Sequence, residues 1–230
     1  MLLSGAFALT ACANDPAVAA PTTSSLPESS TTTVNTTTTV DTTTTVNTTT
    51  RSAPVYTFPF TGRKVSYGDD HHDYPAIDVF GCGALVVSPT NGTVDQVRDF
   101  DPWDPAVNAW STRGGKYVSV IGVDGVRYYF AHLESTAVAP GQEVDAGDPL
   151  GVMGQTGNAR NSACHTHFGI SWPCPGNEWK VRRGKVWPMV FLDAWRDGIQ
   201  SSPATAVEWT EIADPDACAD AIAQPDAVFA

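Results

Sequence analysis

The stretch Cys164-His165-Thr166-His167-Phe168-Gly169-Ile170 follows the loop Gly154-Gln155-Thr156-Gly157-Asn158. Alternate side chains of an extended strand share a face, so His165 and His167 point into one site. A strand can offer two imidazoles to one metal or one substrate in this way. On its own a His-x-His carries little weight, but the chain has five histidines in all, and four of them form tight pairs, His71 with His72 and His165 with His167. The fifth, His132, ends the aromatic, strand-like run Tyr128-Tyr129-Phe130-Ala131, where a charged ring needs a partner. Neutral imidazole is the commonest metal ligand and the side chain most used for proton transfer near neutral pH. Asp78 follows the upstream pair, and two histidines with one carboxylate and an open water position is a recurring catalytic zinc composition.

The apolar content of this 230-residue chain, 42%, is unevenly spread. Residues 1–12 form an apolar run too short to span a bilayer, ending in Leu9-Thr10-Ala11-Cys12. That ending resembles the bacterial lipobox, after which Cys12 becomes the lipidated first residue of the mature protein; an ordinary cleaved secretory signal is the alternative. Residues 13–54 are mostly Thr, Ser, Pro and Ala, with Val34, Val40 and Val46 recurring six apart as isolated apolar positions, too few to bury anything. Such a stalk, at up to ~3.1 Å per residue, reaches on the order of 100 Å when extended. The folded part is residues 55–230. It holds every basic residue but Arg51, yet the chain has a net charge of −12, so nucleic acid and anionic lipid surfaces are excluded as partners. The expected location is extracytoplasmic, attached to a membrane only through the lipid at Cys12, or else secreted; a monomer is expected.

Within the folded part, 84–88, 93–98, 116–121 and 126–131 are β-branched or aromatic runs separated by Asn91-Gly92, Gly114-Gly115 and Asp124-Gly125, the last reading as a hairpin turn. The spacing predicts a compact, mostly β, antiparallel domain with few short helices. Residues 99–113 break the rhythm and form a long loop, able to wall a groove with Trp103 and Trp110. Phe191 to Arg196, after Trp187-Pro188 and before Gly198, is the one clear helix.

Several motifs in order resemble the lysostaphin/LytM-type peptidoglycan metalloendopeptidases. They are Tyr74-Pro75-Ala76-Ile77-Asp78-Val79, Tyr129-Phe130-Ala131-His132-Leu133, Pro140-Gly141-Gln142 through Gly151, Gly154-Gln155-Thr156-Gly157 and His165-Thr166-His167-Phe168. The resemblance implies the family's duplicated hybrid motif β-fold, one Zn2+, and hydrolysis of peptide cross-bridges in cell-wall peptidoglycan. It implies Asp78 and His167 as metal ligands, with His132 and His165 assisting catalysis. A catalytically inactive domain that binds peptidoglycan or activates another hydrolase is the alternative.

One position departs from the pattern. The family spaces its first histidine four residues before the aspartate, where this chain has Tyr74. His72 is taken as the third ligand, with a fold-back at Tyr74-Pro75; His71, or loss of the ligand altogether, are the rivals. Cys82 lies four after Asp78 and Cys164 three before His167. If these strands run antiparallel side by side, Cys82 meets Cys164 and leaves Cys174 to Cys218; Cys164 with Cys174, closed by a turn at Pro173, is the alternative.

Overall fold

The β-branched and aromatic runs form eleven strands, seen in a computed structural model that describes residues 53–69, 71–176 and 178–223. In chain order they are β1 (Phe60–Thr61), β2 (Ser66–Tyr67), β3 (Ile77–Phe80), β4 (Leu85–Val87), β5 (Gly92–Arg98), β6 (Tyr117–Gly122), β7 (Arg127–Ala131), β8 (Leu133–Thr136), β9 (Glu143–Val144), β10 (Pro149–Met153) and β11 (His165–Ser171). The expected signal segment with Cys12, and all but the last two residues of the stalk, lie outside the described residues.

A sheet of four strands has the order β1-β4-β10-β8, and one of seven has the order β2-β3-β11-β7-β6-β5-β9. Every pairing is antiparallel. The β6-β7 hairpin turns at Asp124-Gly125, as its sequence predicts. Side-chain alternation gives the larger sheet two distinct faces. Ile77, Val79, Val118, Val120, Tyr128, Phe130, Phe168 and Ile170 lie buried in the main core with Phe60, Val86, Leu133 and Leu150 of the smaller sheet. Phe60 stands edge-on to both Phe130 and Phe168, at 6.2 and 6.3 Å between ring centres. The opposite face carries Asp78, Tyr117, Tyr129, Ala131, His165 and His167.

Four helices follow the last strand: α1 (Trp179–Arg182), α2 (Met189–Arg196), α3 (Ala204–Ala213) and α4 (Ala217–Ala223). Only α2 was legible in advance. Its end is a glycine-capped one, with Gly198 at φ 76° and the Ile199 N–H reaching back to the Ala194 carbonyl. A buried pair pins α1 and its lead-in to the polar face of the larger sheet: Arg127 of β7 meets Glu178, with 1% and 0% of the side chains exposed. Burial lowers the Arg127 pKa to about 10, Asp95 opposing the shift, so the guanidinium stays charged at neutral pH. Disulfides join Cys82 to Cys164 and Cys174 to Cys218, the pairing expected from antiparallel β3 and β11. No helix among the described residues is long and apolar enough to cross a membrane.

Candidate metal centre

The register of β11 against β3 sets His167 directly opposite Asp78. Directly opposed residues of an antiparallel pair share a face and stand closest, and His167 Nδ1 lies 3.1 Å from Asp78 Oδ1. The Nε2 of His167 is 2.7 Å from the carbonyl oxygen of Arg183. A carbonyl only accepts, so Nε2 carries the proton and donates it, leaving Nδ1 as the nitrogen that can take a cation. Gly169 makes that contact feasible, because a Cβ there would overlap the Arg183 carbonyl oxygen.

The upstream partner is His71, not His72. His71 Nε2 is 3.7 Å from Asp78 Oδ1, and its ring centre is 4.7 Å from that of His167. One donor atom each of His71, Asp78 and His167 lie within 4.8 Å of one another. His72, the residue expected here, lies outside this group for a local reason. The chain bends through residues 72–75, Tyr74-Pro75 included, and its first step is a three-residue turn closed by the Asp73 N–H on the His71 carbonyl, with His72 at φ 64°. His72 is the exposed middle of that turn, whereas His71 at its start is directed back to the sheet.

His132 and His165 join the same space, their rings 4.9 Å apart. His132 sits between β7 of the larger sheet and β8 of the smaller, at φ 64°, where the chain passes from one sheet to the other. A non-glycine residue in this region marks local strain held by its surroundings. Its Nδ1 donates to the Thr156 carbonyl at 2.9 Å, and the Nδ1 of His165 to that of Ala163 at 2.7 Å. Each ring therefore keeps its Nε2 bare, and that of His165 is 3.8 Å from Asp78 Oδ2. Thr156 is held in turn by its hydroxyl on the Leu133 carbonyl and by the Lys116 N–H. The next residue, Gly157, needs its positive φ of 67° to pass the Gly114-Gly115 turn.

The electrostatics favour neutral His71 and His132 rings beside an ionised carboxylate. Burial pushes the Asp78 carboxyl up, but His167 directly beside it, with His165 and His71, outweighs that and holds it well below the usual carboxylate range. Burial, reinforced by His167, lowers His71 to about 4. Burial, reinforced by His165, lowers His132 to about 3. Tyr74, its ring 4.4 Å from that of His71, is pushed above the usual phenol value by burial despite Arg183, which keeps its hydroxyl a donor rather than a ligand.

A cleft of about 170 Å3 opens over His71, His132 and His167, walled by Trp110, Tyr129 and Trp179. The loop 99–113 contributes Trp110 to it but not Trp103, which is covered by Arg160. Sequence reasoning missed the arginines of this cleft, Arg113, Arg182 and Arg183. Trp179-Lys180-Val181-Arg182-Arg183 is a visible basic and aromatic cluster, but nothing in it says what it faces.

Residues 73–182 match the family model of peptidase family M23. The match begins two residues after His71. Solved structures similar to the chain include the catalytic domain of lysostaphin from Staphylococcus simulans, at 25% identity over 57% of this chain and 92% of that one, TM-score 0.42. Whole lysostaphin gives 24% identity over 60% of this chain and 55% of that one, TM-score 0.45. A zinc-containing peptidase from Vibrio cholerae gives 22% over 57% and 38%, TM-score 0.41. No curated protein matches the chain.

Proposed function

We propose that the chain is a zinc-dependent endopeptidase that hydrolyses peptide cross-bridges of bacterial peptidoglycan. The observation that carries this reading is the convergence of His71, Asp78 and His167 on one point, with His167 fixed by the Arg183 carbonyl so that Nδ1 faces Asp78. Two imidazole nitrogens and an ionised carboxylate with one face open to a cleft suit a catalytic zinc site. Zinc held there supplies Lewis acidity at the scissile carbonyl and makes water nucleophilic near neutral pH.

The chain's own groups supply the rest. His132 and His165, each with Nδ1–H tied to a backbone carbonyl, present Nε2 to the same space. Either can take the proton of the attacking water at Nε2, stabilise the developing oxyanion as the imidazolium so formed, and pass that proton to the leaving amine. The Tyr74 hydroxyl, kept protonated by burial, is a further donor toward a substrate carbonyl. The match to the model of peptidase family M23 over residues 73–182 supports the reaction class. An inactive, wall-binding domain is the second reading, and the gathering of His132 and His165 beside His71, Asp78 and His167 favours catalysis over it. The anchor at Cys12 and the Thr-rich stalk, set outside a membrane, suit a substrate that is a mesh lying at a distance. The deciding experiment is turnover: the zinc-loaded chain should release new amino termini from purified peptidoglycan, and a zinc-loaded chain that binds the mesh without releasing any would establish the second reading.

A further inference from the structure

The cleft that opens over the metal centre is basic in an otherwise acidic chain. Arg182 is committed to the fold, donating to Gln96 Oε1 at 2.5 Å and lying over the rings of Tyr117 and Tyr129. Arg113 and Arg183 are held differently. The Arg113 guanidinium lies 3.6 Å over the Trp110 ring, and its Nε donates only to the amide oxygen of Asn108. The Arg183 guanidinium lies 3.7 Å over Tyr74 and 5.0 Å from Trp179, and its Nε is buried with no hydrogen-bond partner. Trp110 and Trp179 stack at 5.9 Å, joining the two arginines into one wall. Among the described residues, no carboxylate comes within 4.0 Å of either guanidinium; Asp73, the one rim carboxylate besides the metal centre, is exposed.

Two planar forks fixed on aromatic faces set like charges on one cleft wall; burial lowers the Arg183 pKa, Tyr74 and the exposed Asp73 oppose that shift, and Arg113 adds to it. An anion between them relieves that repulsion and meets bidentate geometry. Building on the peptidase reading, we propose that Arg113 and Arg183 form a subsite for a substrate carboxylate next to the cleaved bond, so that the enzyme selects peptides bearing a free carboxylate over their neutral amides.

The test compares purified peptidoglycan with a sample whose peptide carboxylates have been converted to carboxamides by carbodiimide and ammonia. The full zinc-loaded chain should cut the amidated sample at least about tenfold more slowly, the loss of one charge-assisted pair. Arg113→Gln with Arg183→Gln should cut both samples at one similar, lower rate. In parallel, soluble muropeptides in acid and amide form are titrated calorimetrically into the full chain carrying His165→Ala, where the same preference should appear as a difference in Kd. A chain that cuts neither sample refutes the peptidase reading, and the calorimetric arm still decides the subsite. Equal binding or cutting of the two forms, or a preference that survives in the double variant, overturns the subsite. Near-ultraviolet circular dichroism reports whether the double variant folds; if it does not, the partly exposed Arg113→Gln alone decides, and it should shrink the preference several-fold.

Discussion

At the scale of single residues the site is organised by which ring nitrogen is left bare. His132 and His165 are tied at Nδ1 and stand outside the group of His71, Asp78 and His167, His165 Nε2 coming only to 3.8 Å of Asp78 Oδ2, and the proposed function gives them proton transfer in place of metal binding. His132→Ala and His165→Ala should keep most of the zinc and lose turnover by about 10²- to 10⁴-fold, the usual contribution of a general acid or base. Metal analysis beside a peptidoglycan assay checks this, and zinc loss equal to that of His167→Ala contradicts the division. The lowered imidazoles also set a pH dependence for the metal-free chain. An unfolded histidine takes its proton near pH 6.5, whereas folded His71 waits until about 4 and His132 until about 3. Between about pH 6.5 and 4 the unfolded state binds more protons, so stability falls as pH falls. Asp78, whose carboxyl is lowered, supports stability above its usual 3.8 and acts in a lower window. Urea midpoints of the chelated chain should be lower at pH 4.5 than at pH 7; equal midpoints contradict the burial of these rings. The identity of the third ligand was not legible at this scale. A turn built on a histidine at positive φ has no sequence signature, and both His71 and His72 stood at a plausible distance from Asp78.

At the scale of elements, β11 and its two neighbours do most of the positioning. The strand half of the site was legible, because period-two alternation puts His165 and His167 on one face and antiparallel pairing with β3 then brings Asp78 opposite. The same register explains the Cys82–Cys164 bridge. Replacing both cysteines by serine should lower stability by about 2–5 kcal/mol and weaken zinc retention, since the bridge clamps the two ligand-bearing strands. Denaturant unfolding with and without zinc measures both. Gly169→Ala is a sharper probe of the second layer. The added methyl must push the Arg183 carbonyl away from His167, so zinc affinity should fall about 10- to 100-fold, the usual cost of losing such support. A competitive chelator titration that finds the affinity unchanged would show that the carbonyl does not orient His167. The helices α3 and α4 escaped the sequence reading because they lack a continuous apolar stripe. In α3, Val207 is buried while Trp209 and Ile212 are 73% and 71% exposed.

At the scale of the whole molecule, two sheets share one core and leave the polar face of the larger sheet free to be roofed by the loop 99–113 and α1. The roof depends on a buried ion pair, and its energetics are asymmetric. Removing one partner strands the other charge out of water, so Glu178→Ala should cost about 3–5 kcal/mol by leaving Arg127, 1% exposed, with Asp95 alone. Thermal unfolding checks it, and a shift below 1 °C would mean that the pair is not buried as described. Sequence patterning revealed the sheets but not this roof, because a lone glutamate and a basic, aromatic segment do not declare their contacts. The central claim is that His71, Asp78 and His167 together hold a catalytic zinc. Its most direct test is the zinc content and peptidoglycan hydrolysis of the full chain carrying His71→Ala or His72→Ala. The account expects His71→Ala to lose zinc and activity together and His72→Ala to keep one zinc and turnover within about twofold of the parent; full zinc and normal hydrolysis in His71→Ala would contradict it.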